Sequence, residues 1–172
     1  MKHNKDDLKS GLAVYDHYVA FWGSAFSNFF PCEFTYDGKT WKSSEQCFMA
    51  MKAKYFGDMD IYERILASTE PKHAKSLGRL VKKYDDKEWC KVRYDYMYEI
   101  VKAKFSQNEY LKEFIKDELF KGKKFVEGSP FDGIYGVKMD YRNPDIDDEE
   151  NWNGINLLGK ILCDVRSSLL KE

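Results

Sequence analysis

The chain has 172 residues, of which 43% are hydrophobic and 16% are aromatic, enough for one domain with a substantial core. A third of the residues are charged, yet the charges sum to −1. The high hydrophobic content and low net charge exclude the composition of a disordered chain. The chain also lacks the excess of basic residues that is typical of nucleic-acid-binding proteins. No run of about 18 apolar residues occurs and the first ten residues are polar, so we expect no membrane span, no secretory signal and a cytoplasmic protein.

The cysteines and histidines argue against a metal centre. The four cysteines lie far apart without a C-x-x-C pair, and the three histidines form no cluster. Zinc sites and disulfide frameworks show closer or more numerous spacings. We therefore expect reduced thiols and a protein that needs no metal and no cofactor.

The predicted elements begin with strands. Loose alternation from Val14 to Trp22 indicates a first strand, followed by a polar loop. Asp37-Gly38 lies between two strand-like runs, residues 32–36 and 39–41. Both positions of a two-residue hairpin turn favour positive φ, which Asp and Gly tolerate, so this segment predicts a β-hairpin.

Helices dominate the rest of the chain. Ser43 and Gln46 fit a capping box, in which each side chain binds a free amide at the helix start, so a helix is predicted to run to Phe56 and end at Gly57. Apolar residues at spacings of three and four, together with residues typical of helix ends, predict the other helices. These are residues 59–67, 71–80, 86–106 and 109–120, and a last helix that begins near Gly154 or Ile155.

One strand and one long loop complete the prediction. Residues 123–127 form a strand candidate, whereas residues 128–153 are rich in Gly, Pro, Asp and Asn and lack periodicity. Five of the six residues from Asp145 to Glu150 are acidic, which favours a solvated loop over residues 140–153. The whole is a mostly helical α+β single domain over residues 1–172 with a small β-sheet, in which residues 1–12 are the segment where flexibility would be expected.

Glu45 and Lys52 are the first candidates for chemistry. They lie seven residues apart on one predicted helix, hence on nearly one face with roughly 10 Å of rise between them. That face also carries Phe48 and Met49, and charges on a partly buried face need partners, which a ligand could provide. Alternatively, Glu45 supports the helix dipole and Lys52 extends to solvent. Spacing by itself favours this second interpretation.

Polar and aromatic residues elsewhere carry weaker signals. Asn28 offers a donor and an acceptor and Phe29 a stacking surface, although the residues by themselves slightly favour a turn Asn and a core Phe. Trp41 fits either a ligand contact or a hydrophobic staple at the helix entry. Arg79, after a helix end, either binds phosphate or compensates the helix dipole.

Two further candidates lie near the C-terminus. Asp132 precedes a glycine, as turn residues do, but Phe131 and Tyr135 beside it are compatible with a ligand pocket. Asn156 stands at the start of the last helix, where it fits a cap or a ligand contact. None of these signals identifies a reaction by itself.

Together the segments resemble one family. The chain is similar to the YbiA-like family, also called the NADAR (NAD and ADP-ribose) superfamily, and the likeness depends chiefly on the Trp-x-Ser-Ser-Glu-Gln stretch and the lysine that follows it. The matching stretches are Ser27 to Pro31, Gly38 to Gln46, Met51 to Ala53, Gly78-Arg79, Trp89 to Phe105, Asp132 to Gly136, Asn156 to Gly159 and Val165-Arg166. They follow the family's order over nearly the whole chain from Phe21 to Leu169.

The resemblance implies an N-glycosidase. Substrates described for the family include ribosylated pyrimidine intermediates of riboflavin synthesis and ADP-ribose attached to guanine and other molecules, so ADP-ribosylated nucleic acid is a candidate partner. It implies catalytic or substrate-orienting roles for Glu45, Lys52 and Asp132. It implies a pocket lined by Asn28, Phe29, Trp41, Arg79, Tyr135 and Asn156.

Two departures from the family concern substrate choice. Tyr135 stands where many members have Trp; it can still stack on a base or ribose and adds a hydroxyl. The acidic stretch after Asp140 differs from shorter, Gly- and Lys-rich members, and we expect it to reshape the pocket mouth. A non-catalytic sensor of ADP-ribose or of a related nucleotide would use the same pocket, so it is the alternative to an enzyme.

Overall fold

The computed structural model describes residues 4–172, and helices make up most of its regular structure. In chain order the elements are α1 (Lys5–Lys9), β1 (Leu12–Val14), β2 (Tyr18–Phe21), β3 (Phe34–Tyr36), β4 (Lys39–Trp41), α2 (Ser44–Tyr55), α3 (Met59–Leu66), α4 (Pro71–Gly78), α5 (Asp86–Gln107), α6 (Glu109–Ile115), β5 (Lys124–Glu127) and α7 (Leu157–Leu170). The predicted class, mostly helical α+β, is confirmed. None of the described helices is long and apolar enough to cross a membrane.

Internal contacts divide the chain into two compact units. The first unit comprises the chain up to Phe30 together with Glu109–Glu172, and the second comprises Pro31–Asn108. Of the segment for which flexibility was expected, residues 1–3 lie outside the described residues, and the remainder forms α1 and begins β1.

The first unit is built on a three-stranded sheet in the order β1-β2-β5. The first two strands are antiparallel, whereas β2 and β5 are parallel, with Tyr18 opposite Lys124 and Phe21 opposite Glu127. The single strand predicted from Val14 to Trp22 is therefore wrong. The chain turns at residues 15–17, where the side chain of Asp147 accepts hydrogen bonds from the backbone N–H groups of His17 and Tyr18.

Each face of this sheet carries a distinct core. Phe125 packs with Phe26 and Phe120, and α7 covers the same strand so closely that a Cβ on Gly159 would lie 2.3 Å from the carbonyl oxygen of Phe125. The second core contains Tyr18, Ala20, Val126, Val137 and Ile146. Ile146 belongs to the acidic stretch, which forms two short 3₁₀ turns (Pro144–Asp147 and Glu149–Asn151) within the predicted loop.

Two helix boundaries differ from the prediction. The helix predicted for residues 109–120 ends at Ile115, and a 3₁₀ turn capped by the Asp117 side chain follows it. The last helix begins only at Leu157, because the backbone N–H of Asn156 donates to the carbonyl oxygen of Gly136 at 3.2 Å and Asn156 adopts a left-handed φ of 53°. The start of the last helix thus depends on a neighbour that local periodicity does not show.

The second unit is a helical layer with its own hairpin. The predicted turn is confirmed, since Asp37 and Gly38 both have positive φ and join β3 to β4 in a separate two-stranded sheet. Helix α2 packs against α3, α4 and α5. The Ser43 hydroxyl accepts the N–H of Gln46 at the start of α2, as predicted.

The other half of the predicted capping box is wrong, because the Gln46 side chain binds a different amide. Its Oε1 accepts the N–H of Lys42, instead of that of the capping serine, at 2.9 Å. Its Nε2 donates to backbone carbonyls at the end of α3, including those of Ile65 and Ser68. One buried amide thus orients the start of α2 and satisfies carbonyls that a helix end leaves unpaired.

Candidate active site

Glu45 and Lys52 lie on α2 in the second unit. Glu45 is in the first turn and only 8% exposed, and Lys52 follows two turns later, half-buried. The Lys52 Nζ donates a hydrogen bond of 2.9 Å to the carbonyl oxygen of Gly78 and lies 4.4 Å from the centre of the Tyr84 ring. The interpretation that Lys52 simply extends into water is therefore wrong.

Gly78 explains how Lys52 finds this acceptor. A Cβ at Gly78 would lie 2.1 Å from the Sδ of Met49 and 3.0 Å from its Cγ, so only glycine lets the end of α4 approach α2 this closely. The approach brings the Gly78 carbonyl within reach of Lys52, and α4 ends at the next residue, Arg79. The Gly78-Arg79 pair thus has a packing reason beside any role with substrate.

Electrostatics link three of the predicted residues. Burial lowers the pKa of Lys52 from its ordinary value, while the carboxylate of Glu45 raises it and the guanidinium of Arg79 lowers it. Glu45 and Arg79 therefore lie close enough to Lys52 to act on its pKa. A lysine whose pKa is lowered releases its proton more readily than an ordinary lysine, which favours a role in proton transfer.

Trp41 does not fit the stacking role implied by the resemblance. Its ring is 0% exposed, its Nε1 donates to the Tyr36 carbonyl at 2.9 Å, and its edge contacts the Tyr62 ring. A ring enclosed in this way has no free face for a base or ribose. The correction follows from tertiary packing, since α3 supplies the residue that covers it.

The first unit holds the other predicted residues, on loops that follow two strands. Asn28 and Phe29 lie in the loop after β2, and Asp132 and Tyr135 lie in the loop after β5. Because β2 and β5 are parallel neighbours, both loops leave the same edge of the sheet. The Trp22 and Phe131 rings, one from each loop, are in contact with their centres 6.2 Å apart. In sheets with parallel strands this edge is where ligands commonly bind.

Asp132 is held by a network of its own loop. Its Oδ1 accepts the N–H groups of Ile134 at 2.8 Å and Tyr135 at 2.9 Å, and its own N–H donates to the Ser129 hydroxyl. The carboxylate is half-buried, so part of it faces solvent. The turn interpretation and the functional interpretation are both compatible with this geometry, because one oxygen orders the loop without using the other.

Asn156 is enclosed by backbone. It is 2% exposed, its Oδ1 accepts the N–H of Glu127, and its Nδ2 donates to the carbonyl of Phe125, both at 3.0 Å. Its side chain caps no amide of α7. These bonds fasten the start of α7 to β5, which indicates a positioning residue.

The acidic stretch lines a separate groove of about 770 Å³ in the first unit, and none of the nine predicted site residues lines it. Two of its acids already have partners there. Asp147 accepts the turn amides described above, and Glu149 accepts the Tyr18 hydroxyl and lies 3.4 Å from the Nζ of Lys124. The stretch therefore organises the β1-β2 turn.

Sequence reasoning did not single out two residues that the structure makes notable. Lys104 is fully buried on α5, where desolvation lowers its pKa to about 8. Its spacing from the core residues Met97 and Ile100, seven and four positions earlier, was a usable signal, because a lysine at a core position is rare. Trp22 lies beside the predicted residues of the first unit, and only the strand pairing shows this.

Comparison with known proteins identifies the family. The model of the NADAR domain matches residues 20–170, a range that contains all nine predicted site residues. The chain belongs to the NADAR domain family. The matched range of this NADAR domain includes residues of both units. The NMR structure of the Escherichia coli protein YbiA is similar to it, with a TM-score of 0.72 and 28% identity. The match covers 96% of this chain and 92% of the YbiA chain.

Relatives of this NADAR domain include a worm protein and a viral one. Protein irg-1 of Caenorhabditis elegans is 44% identical over 130 residues, which cover 73% of this chain and 59% of the worm protein. N-glycosidase R617 of Acanthamoeba polyphaga mimivirus is 35% identical over 165 residues, which cover 88% of this chain and 95% of the viral protein. The viral relative thus matches along almost its entire length.

Proposed function

We propose that this chain is an N-glycosidase that hydrolyses the C–N bond of a ribosylated or ADP-ribosylated substrate. The observation that carries the proposal is the pairing of a buried carboxylate, Glu45, with a half-buried lysine, Lys52, whose pKa is lowered. Family membership and the relative named as an N-glycosidase support the same reaction.

The reaction needs three groups. Breaking a ribosyl C–N bond builds positive charge on the sugar, which a carboxylate stabilises, and a carboxylate also activates the attacking water. The departing nitrogen gains a proton, which a nearby acid supplies. Glu45 and Asp132 are assigned the two carboxylate roles, one to each residue.

Lys52 is assigned the acid role or a contact to a phosphate or sugar oxygen. Its ammonium already lies against the Gly78 carbonyl and the Tyr84 ring, so its position is fixed before substrate arrives. Burial weakens its hold on the proton. A proton donor that is already held in place loses less conformational entropy when the transition state forms.

The remaining predicted residues divide into two groups. Arg79, Asn28, Phe29 and Tyr135 are proposed to contact the substrate, with Arg79 suited to phosphate because its guanidinium forms two parallel hydrogen bonds. Trp41 and Asn156, which are enclosed by the fold, are proposed to position the elements around them. Trp41 holds the hairpin beneath the start of α2.

The substrate class is proposed at two levels. The general class is a nucleotide-like N-glycoside. The candidates within it are a ribosylaminopyrimidine phosphate of riboflavin synthesis and ADP-ribosyl guanine. The cytoplasmic location expected from the sequence stays a prediction.

A mass-spectrometric screen with riboflavin intermediates, NAD and ADP-ribosylated guanosine tests the proposal. We expect release of free base together with ribose phosphate or ADP-ribose from one of them. Glu45→Gln, which keeps the size of the side chain, is expected to abolish release while the circular dichroism spectrum is unchanged. Turnover at the wild-type rate by this variant would remove Glu45 from the mechanism, and binding without product from any candidate would favour the sensor.

A further inference from the structure

An exposed pair of aromatic rings lies at the edge of the sheet where the two loops of the first unit begin. Trp22 is 44% exposed and Phe131 is 80% exposed, and their ring planes meet at 63° with the centres 6.2 Å apart. Trp22 begins the loop that carries Asn28 and Phe29. Phe131 directly precedes Asp132. One ring is therefore next in sequence to Asp132, and the other lies on the loop that carries the proposed substrate contacts Asn28 and Phe29.

The Trp22 backbone is firmly held. Its N–H donates to the Gly11 carbonyl at 2.9 Å, and a Cβ on Gly11 would lie 2.1 Å from the Trp22 carbonyl oxygen. Only glycine, here at a φ of 84°, permits that approach. The ring thus stays in solvent although its backbone is fixed, while other rings of this unit, such as Phe26 and Phe120, are buried together.

We propose that Trp22 and Phe131 form an aromatic subsite that stacks on a flat nitrogen base of the substrate. The inference rests on the proposed N-glycosidase function, because every candidate substrate of that reaction carries such a base. Two rings set at 63° present a face and an edge to a planar ring, an arrangement that aromatic groups favour. Base stacking on aromatic side chains also tolerates different bases.

A protein partner fits this pair less well. Stable protein interfaces bury roughly 800 Å² on each partner, which two side chains cannot supply. A base needs no more than the two rings. The subsite is accordingly a specificity determinant, which binds the base in the ground state and in the transition state alike and acts on KM more than on kcat.

Two sources of the base are compatible with this chemistry. It is either the base released by the reaction or the adenine of an ADP-ribosyl group. Calorimetry with three probes separates them, because ADP-ribose carries adenine, guanosine monophosphate carries a releasable base, and ribose 5-phosphate carries neither. The measurement needs no turnover, so its failure is distinct from failure of the N-glycosidase proposal.

The variants are Phe131→Ala and Trp22→Ala, with Leu119→Ala as the control. Leu119 is an equally exposed apolar residue of the same unit, at 44%. We expect each subsite variant to weaken base binding on the order of 10-fold, which corresponds to about 1.4 kcal/mol, and to leave ribose 5-phosphate binding unchanged. If only the binding of ADP-ribose is weakened, the subsite binds adenine. If only the binding of guanosine monophosphate is weakened, the subsite binds the released base. If the binding of both is weakened, the subsite accepts either base.

Fluorescence gives a second reading that survives partial loss of stability. Trp22 is more exposed than the other three tryptophans, so base stacking should quench the wild-type emission, and Trp22→Phe should remove most of the quenching. Unchanged binding in both alanine variants would overturn the proposal. So would failure of both base-bearing probes to bind the wild type, or equal weakening for ribose 5-phosphate.

Discussion

The second unit carries Glu45 and Lys52 on one regular helix, whereas the first unit carries Asn28 and Asp132 on loops. Glu45 and Lys52 share one helix, so the helical repeat sets their separation, and burial lowers the pKa of the lysine. Asn28 and Asp132 are distant in the chain, and their loops leave one sheet edge because β2 and β5 pair in parallel. On the helix, burial changes the pKa of a side chain that the helical repeat has already positioned. In the loops, the pairing of distant strands brings the site residues to one edge of the sheet.

The largest expected effect concerns Asp132 and separates its two interpretations. Asp132→Asn keeps an oxygen that accepts the N–H groups of Ile134 and Tyr135 but removes the charge. We expect turnover to fall about 10³-fold, as for loss of a charge-stabilising group, with little change in the free energy of unfolding. Steady-state kinetics and urea denaturation measure the two quantities.

Asp132→Ala is the companion variant. It also removes the loop hydrogen bonds, so we expect a loss of about 1–2 kcal/mol in stability. If Asp132→Asn keeps full activity and only Asp132→Ala loses it, Asp132 is a turn residue alone.

The next effect tests whether Asn156 holds the loop region in place. Asn156→Ala removes two buried hydrogen bonds to the backbone of β5 and leaves their partners unsatisfied, so we expect a loss of about 2–4 kcal/mol in the free energy of unfolding. Asn151→Ala is the control, because it removes one exposed bond to the Asp145 carbonyl. Similar losses in the two variants would contradict the positioning role.

The contact between α2 and α4 gives a third test, in the helical region. Gly78→Ala places a methyl group against Met49, and we expect it to cost about 1–3 kcal/mol of stability because the core is overpacked. A double-mutant cycle with Met49→Ala measures the coupling by thermal denaturation. We expect the second change to relieve part of the first; strictly additive losses would mean that the two residues do not meet.

The smallest effect concerns the pKa of Lys52. The charge of Arg79 lowers this pKa, so Arg79→Gln should raise it. If protonated Lys52 is the acid, activity falls as pH rises through its pKa. The alkaline limb of the kcat profile then moves to higher pH in the variant.

NMR of ¹³C-methylated lysines reports the same pKa without turnover. Arg64→Gln, an exposed arginine on α3, is the matched control and should leave the Lys52 resonance unshifted. An alkaline limb that stays in place while the NMR pKa rises would assign the limb to another group and remove Lys52 as the acid.

Local signals were enough for most of the elements. The Asp-Gly turn, the Ser43 cap and the apolar spacing of α5 each depend on neighbours within a few residues, and each prediction is confirmed. The prediction failed where a distant group decides the outcome. Asp147 caps the turn that splits the first strand, and the Gly136 carbonyl binds the N–H of Asn156 just before α7.

The same division applies to the candidate site. The sequence by itself determined the family, through a motif that spans a helix start, and the pairing of Glu45 with Lys52 on one helix face. Tertiary structure decided that Lys52 is half-buried against Gly78, that Trp41 is enclosed, and that Asn156 binds backbone. It also brought Trp22 to Phe131. The physical reason is that burial and pairing between distant strands depend on the whole fold, whereas capping and periodicity depend on adjacent residues.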